Sequence, residues 1–267
     1  MIDTHCHLTF PQFIDRVDEV MDAAAQAGVR QVITISTSSP DAAACQRVAN
    51  AHPGVWFSAG LHPLHCDDPN DWEQMRVCGL DPRCVAWGEL GLDRFHREPA
   101  LDRQRAALDD HLECIVAWTA AGCAKPVIIH CRDAFDDLLP VLQASGLPPH
   151  RFVFHCFTAG PREMELVLAF GASVSFTGVA TYRNAPALRE AIAMVPLDRI
   201  MVETDAPFLS PEPVRAVRPC EPAFVVHTAR AIAAQRSLPY DEFERLVDRN
   251  ARAFFGLPLP GGPALTS

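Results

Sequence analysis

Short apolar stretches alternate with longer amphipathic ones along almost the whole chain. Residues 1–2, 31–36, 55–59, 84–87, 127–129, 152–154, 173–176 and 200–202 form brief runs rich in β-branched and aromatic residues. Uninterrupted runs of this length suit parallel strands buried on both faces. Between them, apolar positions recur with a helical period over 12–27, 40–51, 70–80, 101–121, 134–143, 161–170 and 187–194, and two further helices follow over 220–235 and 240–255. Ser39-Pro40-Asp41 marks a helix start with proline in the first turn, and Gly28, Gly122 and Gly171 stand where helices stop. Eight strands alternating with helices predict one α/β domain over 1–256, a (β/α)8 TIM barrel with its active site at the C-terminal ends of the strands. Residues 257–267, rich in proline and glycine and without an apolar period, read as a loose tail.

Composition narrows the class. Hydrophobic residues make up 49% of the chain, enough for a large core. No apolar run reaches the length of a membrane span, and the chain opens on a strand rather than a charged signal segment, which predicts a cytoplasmic protein without a membrane role. Its ten cysteines include no Cys-x-x-Cys pair, so they read as buried thiols rather than a disulfide framework. Cys6, Cys131 and Cys156 neighbour candidate histidines, and strand alternation should turn them toward the helices. The formal net charge of −10 argues against a tight duplex binder. Nothing in the pattern calls for a large exposed apolar face, so the expected state is a monomer with no obligate protein partner.

Chemistry enters where the apolar runs stop. His5 and His7 are spaced i, i+2, which puts both rings on one side of a strand, roughly 7 Å apart at the backbone. Two imidazoles so placed can grip one divalent cation with an acid completing the set. Glu89, His130, His155 and Asp205 follow other strands, and barrel closure would carry all six side chains to one mouth. A lone histidine is usually a hydrogen-bonded core residue, but that reading would have to hold separately at each position. Many two-metal barrels resemble one another in bridging their ions with a carboxylated lysine. The single lysine here, Lys125, precedes a strand instead of ending one, leaving Glu89 as the bridging group.

The segments Asp3-Thr4-His5-Cys6-His7-Leu8, Gly60-Leu61-His62-Pro63, Gly88-Glu89-Leu90-Gly91-Leu92-Asp93, Ile129-His130-Cys131-Arg132, His155-Cys156-Phe157 and Glu203-Thr204-Asp205-Ala206-Pro207-Phe208-Leu209, with the late Arg218 and Glu221-Pro222, run in one order along nearly the whole chain. In that order they resemble the TatD-related metal-dependent deoxyribonucleases of the amidohydrolase-like superfamily. The resemblance implies two divalent ions, zinc, manganese or magnesium, one held by His5, His7, Glu89 and Asp205 and the other by Glu89, His130 and His155. Imidazole-rich ligation suits zinc or manganese better than magnesium. Ions about 3.5–4 Å apart would share a hydroxide that attacks a phosphodiester. Glu89 and Asp205 are then the catalytic carboxylates, Asp205 taking part in proton transfer.

His62 and Asp93 are expected beside the ions, orienting a ligand or touching the scissile phosphate. Glu203, two residues from Asp205, reads as an interior partner for a histidine or arginine. Arg132 resembles the family's arginine at that place, and Arg215 and Arg218 sit in the proline-rich loop 207–222, where they would clamp phosphates across the mouth. Phe95, Tyr182 and Phe208 could stack on bases or belong to the core. Cys220 stands where many relatives carry a polar amide. The implied activity is 3'-5' exonuclease or phosphodiesterase action on single-stranded or terminal DNA. The alternative is a C–N or ester hydrolase, such as an aminoacyl-tRNA deacylase or amidase, using the same site. A non-catalytic metal-binding barrel is disfavoured because the full ligand set is present.

Overall fold

The computed structural model describes residues 1–259. Eight strands appear in chain order: β1 (Ile2–Cys6), β2 (Gln31–Thr34), β3 (Val55–Ala59), β4 (Cys84–Asp93), β5 (Val127–Arg132), β6 (Phe152–Phe154), β7 (Ser173–Phe176) and β8 (Ile200–Val202). Each pairs in parallel with the next, giving one sheet ordered β1 to β8. The sheet closes on itself beyond β8, where Asp205 N donates to His5 O at 2.9 Å and His7 N donates to Ala206 O at 2.8 Å. The helices that return the chain are α1 (Val17–Gln26), α2 (Ser39–Ala51), α3 (Trp72–Gly79), α4 (Leu101–Ala120), α5 (Phe135–Ala144), α6 (Pro161–Phe170) and α7 (Pro186–Met194), with α8 (Val225–Gln235) and α9 (Tyr240–Phe255) completing the shell. This is the expected (β/α)8 barrel.

Alternation along the strands separates two apolar layers. One lies between strands and helices, where Val32, Phe57, Trp87, Ile129 and Phe154 are buried. The other fills the barrel, with Ile2, Ile33, Val85, Ile128, Val153 and Met201 joined by Phe255 and Leu257 from the end of α9. These interior residues lie near strand starts, so α9 plugs the N-terminal end and leaves the polar strand ends open at the other. Leu257 therefore packs inside, and the Pro258 carbonyl accepts from Gln31 Nε2 at 3.3 Å, against the expectation of a tail loose from 257. The part of that tail from 260 to 267 lies outside the described residues.

Two expected helix starts moved. Residues 10–16 form successive tight turns, with Phe13 N on Phe10 O and Arg16 N on Phe13 O, and α1 begins only at Val17. Helix α8 begins at Val225 rather than 220, because Pro219 and Pro222 withhold N–H donors and disfavour helical backbone before them. A short 3₁₀ turn, Pro222–Phe224, leads into it. Among the described residues no helix is long and apolar enough to cross a membrane.

Candidate metal centre

The six predicted ligands meet at the C-terminal mouth of the barrel, and backbone irregularities aim them. Strand β1 shifts register between Asp3 and Cys6, and its last residues and their continuation carry His5 and His7 with ring centroids 5.1 Å apart. Strand β4 shifts register between Trp87 and Leu90, a bulge that re-aims Glu89. The bulge needs glycine on both sides of its contact with β3: a Cβ on Gly60 would lie 2.2 Å from the Gly88 carbonyl carbon. Ser58 Oγ donates to Gly88 O at 2.6 Å and fixes the turn. Asp205 follows β8 with φ of 56°, a left-handed conformation that aspartate tolerates better than most residues.

Glu89 lies at the centre, 2% exposed, with its two oxygens facing different partners. Oε1 is 3.6 Å from His5 Nε2 and 3.7 Å from His7 Nε2, and the same two nitrogens are 3.6 and 3.5 Å from Asp205 Oδ1. Oε2 is 2.8 Å from His155 Nε2 and 3.6 Å from His130 Nδ1. His5 lies flat against His155, centroids 3.9 Å apart and rings 8° from parallel. Both nitrogens of His5 are buried without a hydrogen-bond partner. An imidazole nitrogen hidden from water and facing two carboxylates at 3.6 Å is too distant for good hydrogen bonds yet suited to sharing a cation with them. The donor set, four imidazoles and two carboxylates, is suited to divalent cations.

Neighbouring groups set the tautomers. His7 Nδ1 is 3.1 Å from Ile35 O and must donate to it, leaving Nε2 with its lone pair toward Glu89 and Asp205. His130 Nε2 is 3.2 Å from Asp93 Oδ2, leaving Nδ1 toward Glu89 in a carboxylate–histidine arrangement typical of metal ligands. Asp93 also accepts from His96 N at 2.9 Å, and His96 Nδ1 is 3.0 Å from Oδ2. His62 Nδ1 accepts the Leu64 N–H at 3.0 Å, so its Nε2 carries the proton and points at His130 Nδ1, 3.2 Å away. That proton makes His62 a donor at the edge of the cluster, although its Nε2 lies within 4.8 Å of ligand atoms on Glu89 and His130. Glu203 is buried beneath, accepting from Cys156 N at 2.6 Å and Ser175 Oγ at 2.5 Å, with Oε1 3.5 Å from His155 Nδ1. His155 is thus its nearest histidine, although His155 Nδ1 makes no hydrogen bond.

Burial pushes the Glu89 carboxyl up, but the rings of His155, His62 and His5 and the bond from His130 outweigh it and hold it well below the usual carboxylate range. Asp205 is likewise lowered against its burial, chiefly by His7. Asp3 behaves oppositely. It is fully buried, accepts from Thr204 N at 2.9 Å and Thr204 Oγ1 at 2.5 Å, and burial raises it to about 8. It braces the Asp205 turn from the layer below and contributes no ligand atom.

The mouth opens into a cleft of about 660 Å³. Arg132 lines it, its guanidinium carbon 3.7 Å from the centre of the exposed Phe95 ring. Phe208 lines it too, whereas Tyr182 is tied to Ser210 O through its hydroxyl at 3.0 Å. Arg215 and Arg218 do not reach the lining. Arg215 lies on Tyr182 at 3.9 Å and near Glu212, and Arg218 turns back to donate to Arg215 O and Val217 O within its own loop. Cys220 is buried in the core and offers nothing to the cleft. Cys6 and Cys131 pack in or against the layer between strands and helices, as alternation requires, although Cys131 also borders the cleft. Cys156 departs from that expectation. Its φ of 46° breaks the strand pattern, and it lines the cleft with Sγ 3.7 Å from Thr177 Oγ1. Phe10, stacked on His7 with centroids 4.6 Å apart, was not singled out from sequence, because it lies in the irregular turn after β1 where no period marks a face.

A family model for TatD-related DNases matches residues 2–256. The chain belongs to the TatD-related DNase family. Among relatives, the metal-dependent hydrolase YcfH of Escherichia coli (strain K12) is 33% identical over 258 residues, covering 96% of this chain and 95% of its own. The 3'-5' ssDNA/RNA exonuclease TatD of Erwinia billingiae (strain Eb661) is 35% identical over 268 residues, covering 97% of this chain and 100% of its own. The crystal structure of YJJV, a TatD homologue from Escherichia coli K12, superposes with a TM-score of 0.89 at 30% identity, over 97% of this chain and 98% of that one. This TatD-family protein is accordingly a metal-dependent hydrolase acting on ester bonds.

Proposed function

We propose that this enzyme removes nucleotides from the 3' end of single-stranded DNA, using two divalent ions, zinc or manganese before magnesium. The observation that carries the reading is the division of Glu89, one oxygen toward His5 and His7 and the other toward His130 and His155. His5, His7 and Asp205 would hold one ion, His130 and His155 the other, and Glu89 both. When bound, such a pair supplies Lewis acidity, activating water and neutralising charge on the phosphoryl oxygens.

The chain's own groups do the rest. Asp205, 15% exposed at its side chain and ionised through its histidine neighbours, can take the proton from the attacking water. The His62 Nε2 proton points at His130 Nδ1, 3.2 Å away, and would be released to donate to a phosphate oxygen when an ion takes that nitrogen's lone pair. Arg132, held flat on Phe95, keeps its N–H edge for a neighbouring phosphate. Arg215 and Arg218 do not line the cleft and take no part in this role. Phe10 and Phe208 give the cleft aromatic faces on which unstacked bases can rest. The net charge of −10 weighs against a duplex, whose phosphates need a broad basic surface. The Erwinia billingiae relative, a 3'-5' ssDNA/RNA exonuclease by name, supports the same direction. Ten unpaired thiols fit a reducing cytoplasm, and exposed apolar residues scattered over separate elements, such as Ile14, Val77 and Val116, fit a monomer.

The test is a 5'-labelled single-stranded oligonucleotide incubated with metal-stripped enzyme reloaded with Mg²⁺, Mn²⁺ or Zn²⁺. Stepwise shortening from the 3' end, lost in Glu89→Gln and Asp205→Ala, is expected. An oligonucleotide left intact with every ion would overturn the reading and turn attention to aminoacyl esters.

A further inference from the structure

The opposite end of the barrel carries a second cleft, of about 580 Å³. In barrels of this kind that end serves stability, and residues there are expected to be paired or apolar. Here the residues just before three of the strands are cationic: Lys125 two positions before β5, Arg151 immediately before β6 and Arg199 immediately before β8. Arg249, from α9, joins them on the lining. In a chain of net charge −10 whose single lysine is Lys125, this is a concentration against the general trend.

Each strand-start cation spends part of its hydrogen-bonding capacity on a backbone carbonyl. Lys125 Nζ donates to Cys84 O at 2.7 Å, Arg151 Nε and Nη2 to Lys125 O, and Arg199 Nη1 to Leu168 O at 3.3 Å. Their remaining donors, and all of those on Arg249, meet no side-chain acceptor among the described residues, and none of the four cations forms an ion pair there. The lining holds a single carboxylate, Asp198, against the four cations. Burial already pushes the Arg151 guanidinium below its ordinary value, a cost that an anion alongside would remove. The floor is different in character: Met201 is buried and Phe254 half-buried, an apolar surface at the base of a charged rim.

We propose that this cleft is a second ligand site, for a phosphorylated small molecule of nucleotide size, separate from the metal centre. The carbonyl-anchored cations are already ordered, so an incoming phosphate meets donors whose rotamer entropy is largely spent. Arginine forks suit phosphate oxygens. The half-buried Phe254 offers a face for a planar base, and the volume falls within the range of small-molecule pockets. The charges converge on a concavity rather than following a stripe, which favours a compact ligand over a nucleic-acid strand.

The experiment is calorimetric titration of the full-length, metal-loaded enzyme with ADP, with inorganic phosphate and a short oligothymidylate as parallel probes. The Arg249 side chain makes no hydrogen bond among the described residues, so Arg249→Glu should leave the fold and the oligonucleotide hydrolysis intact. It is expected to weaken ADP binding by roughly tenfold or more, the scale of a lost charge-assisted hydrogen bond. Arg249→Ala should give a smaller loss in the same direction, and Glu89→Gln should retain this binding. ADP affinity unchanged in Arg249→Glu would overturn the proposal. So would inorganic phosphate binding as tightly as ADP, or an effect of Arg249→Glu confined to the oligothymidylate.

Discussion

Individual carboxylates at this mouth have separate duties that their burial and partners assign. Glu89 is kept ionised by four imidazoles, Asp3 is kept protonated by burial around Thr204, and Asp93 holds a proton on the far nitrogen of His130. If Asp93 fixes the tautomer of a metal-binding imidazole, Asp93→Asn should weaken metal affinity by about 10–100-fold, the usual effect of such outer partners. Competition against a chelating dye measures this directly, and affinity unchanged in the variant would reduce Asp93 to a cap for the His96 turn. Sequence spacing identified both Asp93 and Glu203 as neighbours of the cluster. It placed Asp205 among the ligands and gave no duty to Asp3, which lies two residues before His5 and, like Asp205, next to a threonine. Depth decides between them, since Asp3 is buried a layer below the ligands while Asp205 faces the cleft.

At the scale of elements, two glycine contacts hold the centre of the site. Strand β3 can lie against the bulge in β4 only because Gly60 has no side chain, and β5 passes Gly91 so closely that a Cβ there would be 1.8 Å from His130 O. Gly60→Ala should therefore cost about 1–3 kcal/mol of stability through overpacking, seen as a lower denaturant midpoint. Because the displaced segment carries Glu89, activity should fall well beyond the fraction unfolded. Loss of stability with full activity in the folded population would show that the bulge does not aim Glu89. Strand and helix existence followed from hydrophobic period, but the start of α1, the start of α8 and the bulges did not. Those depend on proline chemistry and on backbone approaches between strands distant in sequence, and periodicity records neither. The same loop geometry turned Arg215 and Arg218 away from the cleft they were expected to cross.

Across the whole molecule, stability should carry the signature of a histidine unrelated to catalysis. His111 in α4 is fully buried, packs against Trp72 with centroids 4.9 Å apart, has no hydrogen-bond partner, and burial lowers it to about 3. In the unfolded chain it takes up a proton near its ordinary 6.5, while the folded chain stays neutral there. Its contribution to stability is thus complete above about pH 6.5 and is lost as pH falls toward 3, by about 1.4 kcal/mol per unit. Unfolding free energies of His111→Leu should fall less steeply than the parent between pH 6 and pH 4, and parallel curves would refute the assignment. The sequence alone determined the barrel, the identity of the six convergent side chains and the family, because strand alternation, helix punctuation and chemically distinctive residues at strand ends are local properties. Tertiary structure alone decided which oxygen of Glu89 meets which histidines, which arginine reaches the cleft, and that Leu257 seals the far end. It also gathered four cations around a cleft behind the barrel, where residues far apart in the chain become neighbours only when the sheet closes.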